Sequence, residues 1–173
     1  MLISRAVEQM TEFYMGNRRD VAHFLKVWAW ARTIAAGEGL SPDLAETAEL
    51  AAIVHDIAIP LCREKYGSAA GPLQEKEGPA LALDFLGKLG CPPEKAGRIA
   101  YLVGRHHTYE GVDGIDWQIL LEADFLVNAD EGNASRESVE TMFSSVYRTA
   151  TGKRLLSSVY LSRDSGENGR PTV

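Results

Sequence analysis

Apolar residues recur along this chain at spacings of three and four, and no stretch shows a sustained alternation of apolar and polar positions. The pattern predicts helices over about 2–15, 18–36, 42–56, 78–89, 93–107, 116–130 and 135–161, the last interrupted near Gly152. Ser41 before Pro42 reads as a helix cap followed by proline in the first turn, and Pro92-Pro93-Glu94 repeats the signal. Two stretches lack strong periodicity, 59–77 and 108–115, and both read as loops. The expected fold class is all-α, a single helical bundle of about seven helices over residues 1–161. From Ser162 the chain turns polar and glycine-rich, so 162–173 is expected to be a disordered tail.

The pattern is broken by a few polar side chains. In AAIVHDIAIP, His55 and Asp56 stand in an otherwise apolar run, and burying either group without a partner is costly. A helix ending near Pro60 lets the two side chains meet although adjacent helical residues diverge by about 100°. A histidine donating to a main-chain carbonyl and an aspartate capping the next segment fit the same dipeptide. Val21, Phe24, Leu25, Trp28 and Ala31 form the expected core face of the second helix. His23 lies off that face, with Arg19 one turn before it and Lys26 and Val27 one turn after. Taken alone it also fits a solvated face. Asp124 has Leu120, Leu121, Val127 and Asn128 as its helical neighbours, so its carboxylate points inward and needs an arginine or a metal. Glu122 shares a side with Gln118 and is expected to reach water. Two imidazoles and two carboxylates from three helices make a mixed nitrogen and oxygen donor set that suits a divalent ion.

Composition narrows the classes. A chain of 173 residues buries about two thirds of its unfolded surface and needs no metal merely to fold, so an ion would serve chemistry. The net charge of -6 argues against a general nucleic-acid coat. Cys62 and Cys91 stand alone, as buried thiols do in a reducing compartment. Arg5, Glu8 and Glu12 break the apolar run a signal peptide needs, and no 18-residue apolar stretch occurs. A cytoplasmic protein with no membrane partner is expected, and a homodimer is compatible with the sequence.

The order His23, His55-Asp56, Asp124, with 32 residues between the histidines and 68 between the aspartates, resembles the HD-domain superfamily of metal-dependent phosphohydrolases. EKYGSAAGPLQEKEGP and RHHTYEG resemble a bacterial subgroup of HD hydrolases, a kinship that does not supply a reaction. The resemblance implies that His23, His55, Asp56 and Asp124 hold one divalent ion, Fe, Mn, Zn, Ni, Co or Mg. It implies cleavage of a phosphoester in a small phosphorylated metabolite or nucleotide by a metal-activated water. Asp56 would accept or orient that water's proton, and His106 or His107 would protonate the leaving oxygen or hold the phosphate. Relatives with two metals carry a further histidine where this chain has Gln74, so a second metal is expected to be weak or absent. Arg19 stands where trinuclear relatives have a glutamate, which favours phosphate over another cation. Arg19, Lys26, Lys65 and Arg105 are candidates for the phosphate oxygens, and each also fits an ordinary solvated surface. Two alternatives remain: a non-catalytic metal- or nucleotide-binding regulatory module, and a di-iron oxygenase.

Overall fold

A computed structural model describes residues 2–162, so the tail expected beyond that point lies outside the described residues. Among the described residues there are nine α-helices and a closing π-helical turn, with no strand. They are α1 (Leu2–Phe13), α2 (Arg18–Gly37), α3 (Pro42–Val54), α4 (Ile59–Tyr66), α5 (Gly71–Lys88), α6 (Pro93–Val103), α7 (Ile115–Glu131), α8 (Arg136–Ser145) and α9 (Ala150–Leu156), then Ser157–Leu161. None of these helices is long and apolar enough to cross a membrane.

The bundle is built around α3. Ser41 caps it by accepting from the Leu44 amide, and Pro42 occupies the first turn, where a missing N–H costs nothing. From Thr47 to Val54 every residue but Glu49 is buried, because α1, α2, α6 and α7 surround the helix. A strip of alanines lets those neighbours approach, while Leu50 and Ile53 each contribute about 2 kcal/mol by leaving water. Such all-round burial makes α3 a stiff mount for whatever follows Val54.

Two expectations about elements are corrected. The segment 59–77 is mostly helical: α4 occupies its first part and α5 begins at Gly71, not at Gly78. The proline signals mislead because Pro60 and Pro72 each sit in a first turn, so they open helices instead of ending them. Gly78-Pro79 lies inside α5, where α6 crosses it so closely that a Cβ on Gly78 would come 2.6 Å from Val103 Cγ1. The last predicted helix breaks at 146–149, not at Gly152; with α4 this makes nine helices among the described residues where about seven are expected.

That break has its cause in Glu122, and the expectation that Glu122 reaches water fails. Its side chain is 0% exposed. Its carboxylate accepts from Gln118 Nε2 at 2.8 Å, from the Arg148 and Thr149 amides at 2.6 and 2.9 Å, and from the Thr149 hydroxyl. The 146–149 turn folds over Gln118 and Glu122 and replaces water with its own donors. Gly152 is required beside it, since a Cβ there would collide with the Glu122 carboxylate.

Candidate metal centre

The loop after α6 is held at two points. Arg98 grips Asp116 with both Nε and Nη2 at 2.7 Å and reaches Asp113 at 2.8 Å. Glu75 of α5 accepts from the His107 amide at 3.0 Å and the Thr108 hydroxyl at 2.9 Å. These contacts set His106 and His107 against the end of α3.

His55 follows the last residue of α3, and Asp56 lies in the turn to α4, where the Tyr14 hydroxyl donates to its carbonyl at 2.7 Å. The helix ends just before the dipeptide, so both residues lie in the short turn that Ile59 closes by opening α4. The buried face of α2 is turned relative to expectation: Asp20, His23, Phe24, Val27 and Ala31 are buried, whereas Val21, Leu25 and Trp28 are half-buried. Packing of α2 against both α3 and α7 brings His23 inward. Asp124, on α7, is 5% exposed and faces the same point.

Each of three imidazoles has its Nδ1 committed. His55 Nδ1 donates to the Ala52 carbonyl at 2.8 Å, and His106 Nδ1 to the Val103 carbonyl at 2.7 Å. His23 Nδ1 meets Glu131 Oε2 at 3.1 Å, and Lys26 holds the other Glu131 oxygen at 3.0 Å. The proton on Nδ1 leaves Nε2 of each neutral ring as a bare lone pair. Those lone pairs converge. His23 Nε2 and His55 Nε2 lie 3.3 Å apart, and His23 Nε2 is 3.2 Å from Asp124 Oδ1. Asp56 Oδ2 is 3.5 Å from His23 Nε2 and 3.4 Å from His55 Nε2. Its Oδ1 faces His106 Nε2 at 3.4 Å.

Two lone pairs and two carboxylates facing one another need a positive charge. Burial opposes the charged form of His55, yet Asp56 and Asp124 outweigh it and hold the imidazole well above its usual range. Burial likewise opposes ionisation of Asp56, but His55 and His106 keep its carboxyl well below the ordinary carboxylate range. His107 behaves oppositely: burial, reinforced by His106, lowers it to about 4 and keeps it neutral near pH 7. Four buried atoms here make no hydrogen bond: Asp124 Oδ1 and His106 Nε2, which meet only the ionic groups opposite them, and His107 Nε2 and Gln74 Oε1. Unpaired buried polar atoms point to a missing ligand. His23, His55 and Asp56 lie within reach of one ion, and so do Asp56, His106 and His107. The donor set therefore fits a divalent metal.

The centre opens into a cavity of about 180 Å³ lined by Arg19, Arg63, Gln74 and His107 beside the donors. A larger cleft of about 510 Å³, between Tyr109 and Arg148, touches none of them. Of the cations expected at the phosphate, Arg19 lies on the cavity. Lys26 is engaged by Glu131 and Asp130. Lys65 is paired with Glu77 at 3.0 Å, and the Arg105 guanidinium lies 4.0 Å over the Tyr101 ring, so neither is brought to the cavity. Sequence reasoning missed Arg63, which α4 presents at the cavity with Nη1 2.8 Å from Asp20 Oδ2. It also missed Glu131. The signal for Glu131 was its place seven residues, two turns, after Asp124.

No family model matches the sequence, and no curated protein matches it. The structure is similar to that of a predicted HD superfamily hydrolase from an uncultured Thermotogales bacterium. The two are 19% identical, with a TM-score of 0.66, and the match covers 92% of this chain and 83% of the other. The chain has the HD-superfamily fold.

Proposed function

We propose that the chain is an HD-type phosphohydrolase in which His23, His55, Asp56 and Asp124 hold a divalent metal and a small phosphorylated metabolite or nucleotide is cleaved. The observation that carries this reading is the pair of imidazole Nε2 atoms 3.3 Å apart, enclosed by two carboxylates. When bound, a divalent ion there stabilises negative charge on a phosphoryl group and makes water acidic enough to attack near neutral pH.

The chain's own groups do the rest. Asp56 turns Oδ2 to the first two imidazoles and Oδ1 to His106, so it can take a proton on the side away from the metal donors. His106 Nε2, 3.4 Å from that oxygen, is placed to pass the proton on. Arg19 and Arg63 at the cavity mouth bind phosphate oxygens. Arg63 is steadied by Asp20, and arginine's planar fork suits two oxygens at once. Neutral His107 serves as a hydrogen-bonding group to the substrate and not as a standing cation.

The test is phosphate release from a panel of mono-, di- and cyclic phosphoesters by protein loaded with Mn, Co, Ni, Fe or Mg. Turnover with at least one metal is expected, and Asp56→Ala should lower both activity and metal content to background. A wild-type chain inert on the whole panel, or Asp56→Ala with unchanged turnover, overturns the reading. The second donor group, Asp56 with His106 and His107, favours a two-metal alternative. Two irons per chain would turn the assignment toward oxygenase chemistry.

A further inference from the structure

Gln74 sits in the first turns of α5 and is 5% exposed. Its Nε2 donates to the Ala69 carbonyl at 2.9 Å, which fixes the amide so that Oε1 is the free atom, and Oε1 has no partner. Beside it on the cavity wall is His107, whose Nε2 is also buried without a partner. The start of α5 backs closely on that ring: a Cβ on Gly71, one turn before Gln74, would come 2.7 Å from His107 Cδ2. An amide oxygen only accepts. A phosphate oxyanion also only accepts, so it cannot satisfy Gln74. What complements this wall is a neutral O–H group, which donates to Oε1 and offers its own oxygen to the imidazole N–H.

Resting on the hydrolase reading, we propose that Gln74 and His107 form a hydroxyl seat beside the metal centre. Gln74 is then a specificity-determining residue that selects a phosphate ester bearing a hydroxyl close to the phosphate. The cavity of about 180 Å³ agrees with a phosphoryl group and a short carbon skeleton. The same O–H chemistry is offered by a water, and the two sources behave differently when Gln74 is replaced.

The experiment compares metal-loaded wild type with Gln74→Met and Gln74→Ala on two probes that differ by one hydroxyl, 2-hydroxyethyl phosphate and ethyl phosphate. Both phosphate release and calorimetric binding are read, with melting temperature and metal content as checks on folding. Wild type should prefer the hydroxylated ester by about 10- to 100-fold, the effect of leaving a buried acceptor unpaired, and both variants should lose that preference. If kcat instead falls equally for the two esters with KM unchanged, the seat holds a water and the specificity role of Gln74 is overturned. Unchanged discrimination and kcat in folded variants overturn the proposal. So does a wild type that holds two ions and loses one of them in Gln74→Met, since Gln74 is then a metal ligand. Should wild type release no phosphate, the hydrolase reading falls by itself. The binding arm then decides the seat: a preference for 2-hydroxyethyl phosphate abolished by Gln74→Met supports it, and equal binding overturns it.

Discussion

Three histidines at the centre use the same trick with different partners. His55 and His106 spend Nδ1 on main-chain carbonyls, and His23 spends it on Glu131, itself clamped by Lys26. The partner fixes ring orientation and tautomer, so Glu131 would act on an ion bound at this centre through His23. Glu131→Gln is expected to weaken metal affinity by about 10- to 100-fold with little change in fold, because an amide can still accept but carries no charge. Titration of metal into the apo variant, followed by competition with a fluorescent chelator, checks this, and equal affinity would show that the contact merely packs the helices. His55-Asp56 and the inward Asp124 were legible in the sequence, since apolar neighbours expose a polar group's need for a partner. Glu131 was not, because a glutamate near a helix end with a lysine in reach looks the same whether or not an imidazole lies between them.

Helices were legible and their junctions were not. The spacing of apolar residues locates α1, α2, α3, α6 and α7 to within a few residues. It fails at 59–77, where glycines and prolines signal breaks that first-turn geometry and a close α5–α6 crossing absorb. It fails again at Glu122, whose burial depends on a turn 26 residues further on. A second carboxylate tethers the same region: Glu38, just past the end of α2, accepts from the Thr151 amide at 2.7 Å. The Thr151 side chain first, and its amide second, hold the Glu38 carboxyl below its ordinary 4.5. A depressed carboxyl contributes stability above its unfolded value and loses it as pH falls through the folded one. Melting temperatures between pH 6 and 3 should therefore fall less steeply for Glu38→Gln than for wild type, with the two converging at the acid end. Parallel curves would mean that the tether carries no charge-dependent stability.

At the scale of the molecule the donors come from α2, the α3–α4 turn and α7, so a bound ion ties together segments that are distant in sequence. A ligand that binds only the folded chain stabilises it by about 2.7 kcal/mol at a hundred times its Kd. For a domain of this size that corresponds to a rise of about 5–10 °C in melting temperature. Differential scanning fluorimetry with and without a chelator should show it, and Asp124→Asn should abolish the difference. The two sides of the cavity also differ in how they are held. The donor side grows out of α3, enclosed by four other helices, while Arg63 and Gln74 belong to α4, which packs mainly on α5, and to the start of α5. Drift is therefore slow on one wall and tolerated on the other. On the proposed reading, substitutions in α4 and the first turns of α5 would change which ester fits while leaving the four metal donors in place.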